Sequence, residues 1–310
     1  MTQCDIILAM EYRYQKLNEY LKSKYGERVL KICIDGGFTC PNRDGTKGIG
    51  GCVFCSQRGA GDHLNHISIR EQVQNGLKYK EGRANKFIAY FQNYTNTYDT
   101  LENLKDKYEQ ALISDKIVGL AIATRPDCIN EEVCKLLSAF KEKVEILVEL
   151  GFQTSSDKTG KLINRGYDSE EFTKAVKLLN QYHLEVISHI MIGLPNETHE
   201  DLENTVNFLN KHKIQGLKIH STYIVEGTAL AKTYKNKEYD PMTLDYYIKE
   251  ASYVLTHINP KIIIHKISGD APKDILVAPS WNVHKKLIMN GIDKYLKEND
   301  LYQGKFYESK

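Results

Sequence analysis

The 310-residue sequence predicts an α/β protein, folded as a partial (β/α)6-type TIM barrel with short N- and C-terminal extensions. Three observations predict it. Short apolar runs rich in β-branched residues alternate with longer segments of helical period. No repeat, low-complexity tract or Gly/Ser linker interrupts that rhythm. Its one long break, a glycine-rich loop over residues 36–65, follows directly on a strand, where barrel and open α/β folds place their sites.

Taken in order, residues 1–28 form an N-terminal extension. The core barrel spans 29–265. Its candidate strands are Val29–Ile34, Phe87–Phe91, Ile117–Ala123, Val144–Gln153, Glu185–Ile192, Gly216–Tyr223 and Lys261–His265. Between them, helical period appears at Glu131–Lys141, Ser169–Tyr182, Glu200–Lys211 and Leu244–His257, with Asp168 as the N-cap of the second. Right-handed crossovers between parallel strands curl such units into a barrel. Residues 266–310 form a C-terminal extension packing on the barrel, with a helix over Asn282–Lys297.

Composition sets outer bounds. Hydrophobic residues make up 41% and charged residues 26%, with a net charge of +2, as expected of a folded globular chain. That charge neither demands nor excludes a nucleic-acid partner. The N-terminus lacks the basic region and apolar core of a signal peptide. No apolar run reaches the roughly 18 residues a spanning helix needs. The expectation is a cytoplasmic protein with no membrane partner. There, seven cysteines act as reduced thiols, metal ligands or catalysts rather than disulfides.

Three of them, Cys40, Cys52 and Cys55, sit in the long loop, with eleven residues between the first two and two between the second pair. A Cys-x-x-Cys pair lets two thiolates converge on one centre, and Gly45, Gly48, Gly50 and Gly51 let the backbone wrap closely around it. Soft thiolates select iron–sulfur clusters or zinc. Zinc would want a fourth ligand, for which His63 and His66 are candidates. A redox dithiol is a third reading. The loop alone favours the cluster without closing the others. Cys4 is terminal, Cys33 reads as filler within an apolar strand, and Cys128 and Cys134 read as structural.

Further polar stretches include or follow strand ends: YFQNYTNTYD (90–99), ATRPDC (123–128), VELGFQT (148–154) and MIGLPNET (191–198), with INRG (163–166) between the last two. Singly, each is explained by turn chemistry; in register with βα units, they converge on one mouth. Together with the cysteine spacing, HKISGDAP (265–272) and LVAPSW (276–281), they make the chain resemble the radical S-adenosylmethionine (radical SAM) superfamily. It is most similar to the YhcC-like branch, which is related to the radical domain of the Elongator catalytic subunit. The resemblance runs from about Tyr12 to Lys305. Its cysteine spacing is wider than the commonest one of the superfamily but suits this branch.

The resemblance implies a [4Fe–4S] cluster on Cys40, Cys52 and Cys55, with an open iron for the methionine moiety of S-adenosylmethionine. It implies Phe54 and Gly193 near the adenine, and Gln153 and Arg165 on the ribose and the methionine carboxylate. Gln92 and Arg125 complete the wall, and His189 stands at a fifth-strand position where a relative has Asp. Relatives often carry a Glu two residues before the third-strand Arg; here Ala123 stands there, and Glu149 is the candidate substitute. The implied reaction is reductive cleavage of S-adenosylmethionine to a 5′-deoxyadenosyl radical, fed by an electron donor such as flavodoxin or ferredoxin.

For the substrate, the branch points to transfer RNA: the carboxymethylaminomethyl side chain of the wobble uridine, taken to aminomethyl. No acetyltransferase or RNA-binding module is expected beside the barrel. Basic residues at Lys261, Lys266, Lys273, His284, Lys285, Lys286, Lys294 and Lys297 could hold phosphates, though a solvated helix face explains them equally well. The alternatives are a radical enzyme on a small metabolite or tetrapyrrole, and a zinc-binding, non-enzymatic RNA or protein adaptor.

Overall fold

In the computed structural model, residues 12–59, 61 and 67–308 are described. Cys4, His63 and His66 lie outside them.

Seven parallel strands form one curled half-barrel in the order β1 (Val29–Ile34), β2 (Lys86–Phe91), β3 (Ile117–Thr124), β4 (Glu145–Gln153), β5 (Glu185–Ile192), β6 (Gly216–Ser221) and β8 (Ile263–Lys266). The strand out of sequence, β7 (Ile224–Val225), pairs antiparallel with β9 (Leu276–Ala278) in a separate ribbon. The helices are α1 (Leu17–Tyr25), α2 (Ile69–Tyr79), α3 (Leu101–Ala111), α4 (Glu131–Lys141), α5 (Asp157–Leu162), α6 (Ser169–Gln181), α7 (His199–Asn210), α8 (Ala229–Lys235), α9 (Leu244–His257) and α10 (Lys285–Glu298). The expected strands are all present, and α4, β5 and α9 match the expected bounds residue for residue. Asp168 caps α6 by accepting from the Glu171 amide at 3.0 Å. A short 3-10 turn, Ser280–Val283, replaces the first residues of the expected last helix.

Two cores follow from the period-two alternation of the strands. One face of the sheet, with Ile32, Ile34, Phe91, Leu120, Ile122, Val148, Leu150, Ile190 and Leu217, packs against the covering helices in one continuous core. The other face is the inside of the half-barrel. There Val29, Ile88, Ala121, Leu147 and Ile187 pack around Leu21 of α1, which is 2% exposed. Burying that leucine contributes about 2 kcal/mol. Helix α1 contacts both edge strands, β1 and β8, so it plugs the strand N-terminal end of the barrel. Cys33, expected as filler within an apolar strand, packs half-buried against this inner core.

The first and last described segments meet at the plugged end. The Gln303 amide nitrogen donates to the Arg13 carbonyl at 2.8 Å, and the Gln303 side chain accepts from the Gln15 amide at 2.9 Å. The other end, where the strands finish, carries the cysteine loop. Beside it, β7, β9 and α8 enclose a satellite core of Ile224, Leu230, Ala231, Tyr239 and Ala278, on which Val53 and Phe54 rest.

Candidate active site

Cys40, Cys52 and Cys55 are all half-buried in the loop after β1. The loop is tied down on both sides by its own backbone. The Val53 amide donates to the Ile163 carbonyl at 3.0 Å, and the Val53 carbonyl accepts from Leu230 at 2.9 Å. Two asparagines add reciprocal ties: Asn42 Nδ2 donates to the Asn164 carbonyl at 2.6 Å, and Asn164 Nδ2 to the Gly51 carbonyl at 2.8 Å. The INRG stretch therefore acts as the clamp of the cysteine loop. Gly51 has φ +78°, and a β-carbon there would meet Arg43 Nε at 2.8 Å. Its absence lets the Arg43 guanidinium cross the loop and donate to the Cys55 and Ser56 carbonyls, at 3.0 and 2.5 Å.

The donor set suits an iron–sulfur cluster. Three soft thiols share one loop, and Asn42 Nδ2 points at Cys52 Sγ from 3.8 Å, the kind of hydrogen bond that tunes a cluster sulfur. Burial, then the nearby Cys55, pushes the Cys52 thiol up to about 12. Such a thiol ionises when a metal takes up its charge. Among the described residues, no group of three or more His, Cys, Asp or Glu side chains is arranged to hold a metal ion.

Gln153 ends β4 with φ +66°, a conformation that non-glycine residues rarely adopt outside functional or strained sites. Its side-chain oxygen accepts from the Tyr167 hydroxyl at 3.0 Å. Gly151 leaves it room, since a β-carbon there would meet Gln153 Nε2 at 2.8 Å. Gln92 follows β2, half-buried, its amide bonded to the Ile34 carbonyl at 3.2 Å. Phe54 lies against the satellite core. Gly193, with φ +82°, packs on Met242 and gives its carbonyl to the Tyr239 hydroxyl at 2.6 Å. It borders a cavity of about 480 Å³ shared with Asp240 to Thr243.

Three of the expected residues are engaged within the protein itself. The Arg165 guanidinium was expected on a carboxylate of the cofactor, yet its side chain is fully buried. It donates to the carbonyls of Tyr167, Phe152 and Thr154 at 2.9, 2.8 and 2.6 Å, and to Asp157 at 3.0 Å. It is a brace within the β4 loop. Arg125 is likewise engaged, forked onto Asp127 at 2.9 Å on both arms and donating to the Arg165 carbonyl at 3.0 Å. Burial opposes the Arg125 charge, but the Asp127 fork outweighs it and raises its pKa further. Both guanidinium groups lie against the Tyr167 ring, 4.7 and 4.8 Å from its centroid.

The third of these residues is Glu149. The register sets it directly beside Ala123 on the neighbouring strand, as a substitute for the missing Glu would require. Its carboxylate, however, is 0% exposed and fully engaged. It accepts from Lys31 at 2.8 Å, from His189 Nε2 at 3.1 Å and from Lys218. Burial opposes its charge, but Lys218 and then Lys31 hold the carboxyl well below the usual range. His189 goes the other way, pushed down to about 4 by burial and then Lys218.

Lys31, Tyr90 and Lys218 escaped the sequence reading. The signal was present: a lysine at a period-two position inside an apolar strand is a buried charge that demands a partner.

With this geometry in view, comparisons with known proteins decide the family. Residues 40–209, more than half of the chain, match the Radical SAM superfamily, and residues 214–298 match the Radical_SAM C-terminal domain. The chain belongs to the radical SAM superfamily. Within it, the chain is 38% identical over 305 residues to the uncharacterized protein YtqA of Bacillus subtilis, covering 96% of this chain and 94% of that one. It is 37% identical over 281 residues to YhcC of Escherichia coli, covering 90% and 91%. This radical SAM protein is thus of the YhcC-like branch. A partial relative is a tRNA uridine(34) acetyltransferase of Dehalococcoides mccartyi, 31% identical over 177 residues, 56% of this chain and 37% of that one. The radical SAM fold is shared with an archaeal Elp3 of Methanocaldococcus infernus, at a TM-score of 0.69 and 20% identity, covering 89% of this chain and 64% of that one. As a radical SAM enzyme, the protein has a [4Fe–4S] cluster and S-adenosylmethionine as its cofactors. Among the described residues, no helix is long and apolar enough to cross a membrane.

Proposed function

We propose that this radical SAM enzyme acts on the wobble uridine of transfer RNA, converting its carboxymethylaminomethyl side chain to aminomethyl. The observation that carries the reading is the partial relative named for uridine 34 of tRNA, whose match covers 56% of this chain.

In this reading Cys40, Cys52 and Cys55 hold the cluster and Gln153 contacts S-adenosylmethionine. When bound, that pair supplies a one-electron cleavage that gives a carbon-centred radical. The chain's own contribution is to position and to exclude water. Asn42, Asn164 and Val53 hold the cysteine loop on the barrel mouth. Arg165 and Arg125 brace the loops that frame it. Phe54 and the satellite core close one flank. An external donor such as flavodoxin or ferredoxin supplies the electron.

The basic residues of α10 and the position before it divide into two groups. Asn282 accepts from Ser221 at the end of β6, which sets exposed His284, Lys285 and Lys286 at the mouth. Lys294 and Lys297 sit at the other end of α10, near Lys16 and Asp293. The mouth group is the one suited to phosphates.

Nucleoside mass spectrometry of tRNA from a deletion strain tests the reading. Accumulation of the carboxymethylaminomethyl form supports it; an unchanged wobble-uridine side chain overturns it.

A further inference from the structure

In the layer around Glu149, the inner face of the half-barrel carries more amines than carboxylates. One carboxylate, Glu149, serves two ammonium groups, Lys31 and Lys218, on β1 and β6. The nearby Lys266–Asp270 pair, at 2.5 Å, cancels itself. The imidazole of His189 adds no charge at neutral pH, since its pKa lies near 4. Lys218 is thus left without a carboxylate of its own, and burial lowers its pKa to about 7, so its charge is fully held only when an anion joins it.

Hydrogen bonding shows the same surplus. Lys218 Nζ donates to Glu149 and, at 3.1 Å, to the Tyr90 hydroxyl, which engages two of its three N–H groups. His220 Nε2 is buried with no hydrogen-bond partner among the described residues, and its ring lies 5.2 Å from that of His189. Below this layer, Leu21 and its neighbours seal the barrel. Above it, the side chains of Lys31 and His189 keep 21% and 17% exposure. Lys218 itself keeps only 6% exposure, so an acceptor has to come in past Lys31 and His189, and only one carrying negative charge would satisfy both the hydrogen bonds and the charge.

We propose that Lys218, with Lys31 and His220 beside it, binds the carboxylate of the substrate side chain. This rests on the wobble-uridine reading, in which the group to be removed carries a carboxylate. It gives the floor a specificity role: the acid form is held, and the aminomethyl product, which lacks that anion, is released.

The test compares binding of 5-carboxymethylaminomethyluridine and its methyl ester to the reconstituted enzyme by calorimetry. The wild-type protein is expected to prefer the acid by about 10- to 100-fold, the range of one charge-assisted hydrogen bond. In Lys218→Met, which leaves Lys31 and Glu149 paired with each other and so strands no buried carboxylate, the preference is expected to collapse. The wild-type comparison requires no variant to fold, and Lys31→Met gives a second, milder reading in the same direction. Equal binding of acid and ester by wild type, including no binding of either, overturns the inference, as does a preference that survives in Lys218→Met. The deletion-strain tRNA reports on the wobble-uridine reading separately, so altered tRNA with no acid preference would sink the inference alone.

Discussion

Arg165 donates from inside the protein to the carbonyl oxygens of Phe152 and Thr154, the two residues that flank Gln153. The left-handed backbone of Gln153 is thus held from both sides by one guanidinium. Arg165→Met should remove four hydrogen bonds and lower stability by about 3–4 kcal/mol, at about 1 kcal/mol for each. Weaker S-adenosylmethionine binding should follow, because Gln153 is released. Denaturant unfolding, with calorimetry on the reconstituted enzyme, separates brace from ligand. A variant as stable as wild type that has lost binding would restore Arg165 as a direct contact.

The cysteines should divide cleanly by position. Anaerobic reconstitution of wild type should yield about four irons per chain. Alanine at Cys40, Cys52 or Cys55 should lower bound iron and abolish reductant-dependent 5′-deoxyadenosine. Alanine at Cys33, Cys128 or Cys134 should leave iron content near wild type. Iron assay and product chromatography measure both, and full turnover in any of the first three would refute its role.

His189 makes acid stability steeper. Its folded pKa is about 4, below the 6.5 of an unfolded histidine. Between those values the unfolded chain holds the extra proton, so stability falls as pH drops from 6.5 towards 4. One proton contributes up to about 1.4 kcal/mol per pH unit in that window. His189→Gln should flatten the slope there. Unfolding curves at half-unit pH steps would show it, and parallel profiles for both proteins would count against a neutral imidazole at this half-buried position.

Gly193→Ala should cost about 1–3 kcal/mol. The new β-carbon would lie 2.2 Å from Met242 Cε, on a backbone with φ +82°. Adding Met242→Ala should recover part of that loss, since it relieves the clash but not the backbone. Thermal melts of the three variants check this; full recovery in the double variant would mean the backbone conformation is unstrained.

Element order was legible because it depends on local pattern. The apolar face of α4 and its Asn130 cap are both written in the chain, and the expected bounds were met. Helix α2 could have been read too: Ser68 and Glu71 form a capping box, a spacing visible in the sequence. The three thiols stood out through spacing and glycine content. What the sequence withheld was which side of each strand faces the barrel interior. Periodicity marks Lys31, Glu149 and Lys218 as sharing a face type, but only the curl of the sheet brings β1, β4 and β6 together. The role of Arg165 was hidden for a similar reason. A guanidinium can fork onto a cofactor carboxylate or onto backbone carbonyls, and residue type does not choose between them.

The Val53 ties have a consequence for the order of biosynthesis. Its amide bonds to Ile163 and its carbonyl to Leu230, and the adjoining satellite core is completed by Ala278. During translation, the loop of Cys40 emerges long before any of these partners. The thiols must stay reduced while most of the barrel is still being made. The loop's full set of backbone partners exists only once the ribosome has passed Leu230, which sets the earliest point at which the finished cradle can receive iron.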